Sequence, residues 1–302
     1  SYMSIMQRGG GIINTVTATR SASFQELLDK ARYSLEVMSQ MGVTTVEGKS
    51  GYGLDKDTEI KQLQVIKAIN EDPDRVIDLV PTFLGAHALP SEYKNNPDAY
   101  IDFLIKEMLP LIKENKLAEI CDVFCEKGVF DIDQSRRLLE EAKEQGYLIK
   151  LHADEIVSFG GAELASDLKA LSADHLLHVS DQGIKSLSES GVIATLLPLT
   201  AFVLKEPYAR GRDMIDSGCA VALASDFNPG SCFSSSIPLI IALSCLYMNL
   251  SIEETITALT LNGAAALNKG DVIGSIEIGK KADIIIFSVN SINMLPYYTG
   301  MN

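Results

Sequence analysis

Short runs of β-branched and apolar residues alternate with longer amphipathic stretches along most of this chain. That alternation is the mark of a parallel sheet whose strands are joined by crossover helices. Ser23-Phe24-Gln25-Glu26 is a capping box that opens a helix to about Met41, with Gly42 as its stop. A strand is expected over 43–47, ending in Lys49-Ser50-Gly51-Tyr52-Gly53. The cycle then repeats with a helix over 56–70, a strand over 78–87, a helix from about Pro97 and a strand over 120–125. Further on come a helix over 133–145, a strand over 148–152, a helix over 161–171 and strands over 174–179, 192–197 and 220–225, the last preceded by a helix over 208–216. These are seven strand–helix units, whereas a closed (β/α)₈ TIM-like barrel has eight. The eighth is expected ahead of Ser1, because Gly9-Gly10-Gly11-Ile12 reads as a loop and not as a first strand. A second capping box, Ser251-Ile252-Glu253-Glu254, opens a last helix to about Leu267, and residues 273–287 read as a turn between two strands.

Composition narrows the class. At 302 residues and 46% hydrophobic, the chain suits a barrel with an appendage and can bury a large core. A formal charge of -14 argues against binding a phosphate backbone, so no nucleic-acid partner is expected. No apolar run approaches the ~20 residues of a membrane span, and residues 1–8 lack the basic head and apolar block of a signal peptide. The expectation is a soluble cytoplasmic protein with no membrane partner. Its five cysteines read as reduced core thiols. Cys121 and Cys125 share a strand face but lie ~13 Å apart along it, too far for a zinc pair.

Barrels of this kind carry their working residues at the C-terminal ends of the strands. The histidines His87, His152, His175 and His178 all fall in or at the end of expected strands, and the last of those strands runs into Asp226-Phe227-Asn228-Pro229-Gly230-Ser231. A divalent metal that activates water takes imidazole nitrogen and carboxylate oxygen, with one position left open. His152 and Asp226 can supply these from different strand ends; they are two ligands where catalytic sites usually take at least three. A buried Asp226 needs a cation or hydrogen-bond donors beside it. His178, three residues beyond His175, points to the opposite side of its strand and is read as structural. Tyr52 lies between two glycines that free the backbone to present its ring to a ligand. Lys49 is read as a structural or electrostatic residue and not as a carboxylated bridge between two metals.

Leu151-His152-Ala153-Asp154-Glu155, Ser172-Ala173-Asp174-His175 and Ala224-Ser225-Asp226-Phe227-Asn228-Pro229-Gly230 resemble the later metal and catalytic strands of the amidohydrolase superfamily. Ile273-Gly274-Ser275-Ile276-Glu277 with Gly279-Lys280-Lys281-Ala282-Asp283 is similar to that superfamily's return into a small β-sandwich. Gly9-Gly10-Gly11-Ile12, Glu47-Gly48-Lys49-Ser50-Gly51-Tyr52-Gly53-Leu54 and Leu84-Gly85-Ala86-His87 resemble its imidazolonepropionase family in particular. The resemblance runs over essentially the whole chain.

What the resemblance implies is an α/β barrel of the metal-dependent hydrolase type over 1–270, with its first strand missing, and the beginning of a β-sandwich over 271–302. It implies one divalent ion, zinc or iron, on His152 and Asp226. The family's other ligands form a His-x-His pair that has no counterpart here, nor has the arginine that follows it, so this chain by itself is expected to lack the activity. Tyr52 and His87 would contact the substrate, 4-imidazolone-5-propanoate, and Asn228, Gly230 and Ser231 would hold its propionate side or the opened product. Glu155 would contact the ring and carry protons, and His175 and Asp226 would take the proton of the attacking water. A homodimer is compatible with the family. Two rivals stay open: another amidohydrolase such as a nucleobase deaminase, and a barrel that binds a ligand or partner without catalysis.

Overall fold

The computed structural model describes residues 12–299, with the side chain of Ile13 left aside. Of the loop expected at Gly9–Ile12, residues 9–11 lie outside the described residues, and Ile12 is not loop but the first residue of a helix. The described residues divide into two compact units, residues 12–39 with 43–152, and residues 40–42 with 153–299.

In the first unit, α1 (Ile12–Ser21) and α2 (Phe24–Gln40) precede β1 (Thr45–Lys49). Ser23 caps α2 as its sequence requires: its hydroxyl accepts the Glu26 amide at 3.2 Å, while its own amide donates to the Glu26 carboxylate at 2.8 Å. Next come α3 (Lys56–Glu71) and β2 (Asp78–Ala86), then a helical stretch with α4 (Pro97–Phe103), one π-turn (Leu104–Met108) and α5 (Leu109–Glu114). β3 (Ile120–Cys125), α6 (Ile132–Glu144) and β4 (Leu148–Ala153) complete it. β1 and β2 pair in parallel with Lys49 opposite Thr82, and β2 pairs in parallel with β3. All six residues of β3 are buried, as in a strand covered on both faces. α6 buries Ser135, Leu138, Leu139 and Ala142, the i, i+3, i+4, i+7 stripe of an amphipathic helix. Asp131 and Gln134 form a capping box at its start that the sequence reading did not single out.

The second unit carries α7 (Gly161–Leu168), β5 (Ser172–His175), α8 (Asp181–Ser190), β6 (Ile193–Leu196), α9 (Pro198–Leu204), α10 (Gly211–Asp216) and β7 (Val221–Leu223). Helices α11 (Ile237–Tyr247), α12 (Ile252–Leu259) and α13 (Leu261–Ala265) follow. β5, β6 and β7 pair in parallel. In each unit the order of strands is the order of the chain, as strand–helix–strand repeats dictate.

Several boundaries differ from expectation. β1 begins two residues later, at Thr45, and β5 ends at His175 and not at 179. The reason at β5 is backbone geometry: His175 and Leu176 take φ of 77° and 60°, which no strand sustains. The helix expected over 251–267 breaks at Thr260 (φ -117°, ψ -86°) into α12 and α13. Helix α9 was not foreseen; Pro198 sits in its first turn, where a missing N–H does no harm. Residues 273–287 form the expected turn, with the Lys280 amide donating to the Glu277 carbonyl at 3.2 Å, but no strand flanks it. Ile276, Ile278 and Ile286 stand exposed there, and a strand exists only when its amides and carbonyls find a partner.

Candidate active site

A network of buried and half-buried charges occupies the first unit. Glu47 on β1 accepts from Lys49 Nζ at 2.9 Å, from the Thr82 hydroxyl at 2.6 Å and from Lys150 Nζ at 2.6 Å. Lys49 also donates to Asp122 at 2.7 Å. Asp122, fully buried on β3, lies 3.2 Å from His152 Nδ1 through one oxygen and 3.1 Å through the other. Burial alone would raise the Asp122 carboxyl; the His152 imidazole and Lys49 outweigh it and leave the group well below the ordinary carboxylate range. Glu47 and Lys49, two apart on β1, present their side chains to one face.

His87, the first residue after β2, lies beside this network. Its Nδ1 is 3.0 Å from the Gly51 carbonyl, which can only accept, so Nδ1 carries the proton and Nε2 the lone pair. Burial foremost, and then the neighbouring His152, pull its pKa down to about 3, so the ring is neutral near pH 7. The Tyr52 ring meets His87 edge-on at 5.1 Å, and the His87 and His152 centroids are 6.0 Å apart. Tyr52 packs against Ile12, Val16, Leu54 and Ala88. Thus Tyr52, His87 and His152 are gathered by the fold from three separate stretches of chain.

In the second unit, Asp154, Glu155 and His175 are buried. Asp154 gathers four amides: those of Phe159, Gly160 and Gly161 donate to one oxygen, at 2.7, 3.0 and 3.4 Å, and that of Ala162 to the other at 2.9 Å. The carbonyl of Asp154 accepts the His178 amide at 2.9 Å. His175 Nε2 lies 3.6 Å from a Glu155 oxygen, an ion-pair distance longer than a hydrogen bond. Asp226 accepts the Thr200 hydroxyl at 2.6 Å, the donor its partial burial calls for. Asn228 closes its own loop: its Oδ1 accepts the amides of Gly230 at 2.9 Å and Ser231 at 2.7 Å. Asp154, His175 and Asp226 all have positive φ, at 50°, 77° and 49°. Such conformations are costly for residues with a Cβ and persist where the surroundings enforce them, as they do at functional sites.

Asp122 and His152, both buried in the first unit, have the donor chemistry for a divalent metal. The pairing of His152 Nδ1 with a buried carboxylate is the arrangement that orients a ligating imidazole, so the residues fit such an ion.

The sequence model of the amidohydrolase family matches residues 11–302. Over all 302 residues the chain is 70% identical to the imidazolonepropionase of Phocaeicola vulgatus, covering 73% of that protein, and 69% identical to that of Bacteroides thetaiotaomicron, covering 72%. The chain belongs to the amidohydrolase family, among the imidazolonepropionases. Solved structures share the fold at much lower identity. An amidohydrolase from a Sargasso Sea environmental sample matches with a TM-score of 0.68 and 16% identity, over 95% of this chain and 72% of that one. An adenosine deaminase from Xanthomonas campestris, with bound zinc, matches with a TM-score of 0.67 and 17% identity, over 93% of this chain and 64% of that one. The alternation of strand and helix is therefore that of the barrel hydrolases, as the sequence pattern predicts. Among the described residues no helix of this amidohydrolase is long and apolar enough to cross a membrane. Its five cysteines are free thiols, and burial pushes those of Cys121, Cys219 and Cys232 up.

Sequence reasoning passed over Glu47, Glu59, Asp122, Lys150 and Asp154. A signal was present for two of them. Asp122 inside Ile120–Cys125 and Lys150 inside Ile149-Lys150-Leu151 are charges within apolar strand runs, where a partner is obligatory.

Proposed function

We propose that this amidohydrolase opens the ring of 4-imidazolone-5-propanoate by hydrolysing its cyclic amide C–N bond, giving N-formimidoyl-L-glutamate. The observation that carries this reading is the 70% identity, over every residue of the chain, to an enzyme named imidazolonepropionase.

The chain's own residues divide the work. His152 and Asp226 would hold a divalent ion, zinc or iron, which when bound supplies a water acidic enough to ionise near neutral pH. His175 and Asp226 are the groups that would take up the proton released when water adds to the ring carbonyl. Glu155, beside His175, receives and returns protons, including the one the departing nitrogen needs as the C–N bond breaks. His87, neutral with its lone pair on Nε2, accepts a ring N–H of the substrate and so sets the orientation of the carbonyl. Tyr52 packs on the ring. The loop of Asn228, Gly230 and Ser231 faces the propionate side, its shape held by the Asn228 side chain.

The test is an assay of the protein that carries these residues, on imidazolonepropionate and on guanine and cytosine. Loss of the imidazolone absorbance with release of the formimidoyl product is the expected result. Turnover of a nucleobase alone would overturn the reading, and metal analysis of the purified protein decides between zinc and iron.

A further inference from the structure

Tyr52 sits on a loop whose amides all turn towards the start of α3. The Glu59 carboxylate, 1% exposed, accepts from the amides of Gly53 at 2.8 Å and Leu54 at 2.9 Å through one oxygen. Its other oxygen accepts from the Gly51 amide at 2.9 Å. The fourth consecutive amide, that of Tyr52, donates to Gln62 on the next turn of α3 at 3.3 Å. The Ser50 hydroxyl accepts the Leu84 amide at 3.1 Å and in turn hydrogen-bonds to Glu59. Burial pushes the Glu59 carboxyl up, while Ser50 and the three amides oppose it. The amides of Gly51, Gly53 and Leu54 each direct a proton at Glu59, so a carboxylate is the form that accepts all three.

The loop has no slack. Gly51 adopts φ +107°, and a Cβ there would lie 2.8 Å from the Leu84 carbonyl oxygen and 3.1 Å from His87 Cβ. A Cβ on Gly53 would lie 2.7 Å from the Glu59 amide nitrogen. Gly51 is therefore held through both of its flanking peptide groups. Its N–H is bound by Glu59, and its carbonyl accepts the Nδ1–H of His87.

We propose that Glu59 is a positioning residue for the substrate pocket. By binding the amides on either side of Tyr52 it sets that ring against His87, and by holding Gly51 in place it keeps the Gly51 carbonyl where it takes the His87 Nδ1 proton. This rests on the reading of Tyr52 and His87 as substrate contacts. A carboxylate is required, because a carboxamide replaces one acceptor oxygen with a donor that faces the amides it should bind.

The test uses Glu59→Gln in the full protein. The His87 ring nitrogens are followed by ¹⁵N NMR, with the signal assigned by its loss in His87→Gln. Wild type should show one tautomer, with the proton on Nδ1, and Glu59→Gln a mixture with Nε2–H. Alongside, KM for the imidazolone and Kd for imidazole-4-propanoate should rise about tenfold with kcat changing much less, the signature of lost ground-state binding. Folded Glu59→Gln protein with a single His87 tautomer and unchanged KM would overturn the proposal. If Glu59→Gln does not fold, Ser50→Ala decides by the same two readouts. Tyr52→Ala and His87→Gln separate the two claims. Should both bind imidazole-4-propanoate as tightly as wild type, the substrate-contact reading fails, while the tautomer measurement still judges Glu59.

Discussion

His87 gives its Nδ1 proton to the carbonyl of Gly51 across 3.0 Å, joining the end of β2 to the loop after β1. The pKa of this ring is lowered from 6.5 to about 3, through burial first and the His152 imidazole second. The unfolded chain thus takes up a proton as pH falls below 6.5, whereas the folded chain resists until about 3. The stabilisation is complete above 6.5 and is lost progressively as pH falls towards 3. Between pH 7 and 4.5 wild type should lose on the order of 2 kcal/mol more than His87→Gln, read from urea midpoints. The His87 Cε1–H resonance should stay at its neutral shift over the same range.

The ion pair of Lys150 and Glu47 joins residues on β4 and β1 at 2.6 Å, with Lys150 1% exposed. Lys150→Met leaves the Glu47 carboxylate with Lys49 and Thr82 but without its shortest charged contact. A loss of about 3–5 kcal/mol is expected, as for breaking one side of a buried pair. Adding Glu47→Gln should restore part of it, so the double-mutant cycle will be non-additive. Additive losses in denaturant titrations would show the pair to be uncoupled.

His152→Ala and Asp226→Asn each remove a proposed metal donor. Elemental analysis after dialysis should find the bound ion reduced well below wild type in both, with kcat/KM down by on the order of 10³. Thermal unfolding should separate the two, since the His152 ring pairs with the buried Asp122 carboxylate whereas the Asp226 carboxylate accepts the neutral Thr200 hydroxyl. Unchanged metal content in both variants would move the ligand assignment to other residues, Asp122 first.

Asp154→Ala strands four amides that now converge on one carboxylate. A destabilisation of about 3 kcal/mol is expected, since buried donors without acceptors are expensive. The neighbouring Glu155 should lose its placement with it. Asp154→Asn keeps the shape and one oxygen, so it should fall between wild type and Asp154→Ala in melting temperature.

Much of the fold was legible because its signals are local. The caps of Ser23 and Ser251 and the apolar stripe of α6 each depend on residues within a turn or two. The break at Thr260 and the end of β5 at His175 were not legible, because they follow from backbone angles that neighbouring elements impose. The candidate site divides in the same way. His87, His152, His175 and Asp226 were readable as polar residues at strand ends, whereas the Gly51 carbonyl as the partner of His87 was not.

For Tyr52 and His87, then, sequence alone determined the kind of loop and the kind of residue: two glycines around an aromatic ring, and an imidazole where a strand stops. Tertiary structure decided how they act. It brought Glu59 beneath the loop and Gly51 opposite His87, and it joined Glu47 to Lys150 across 103 residues of chain. The physical reason is range. Helix periodicity and capping are properties of a few adjacent residues, but the partner of a buried charge is chosen by whichever distant strand the sheet lays beside it, and only that partner settles the proton.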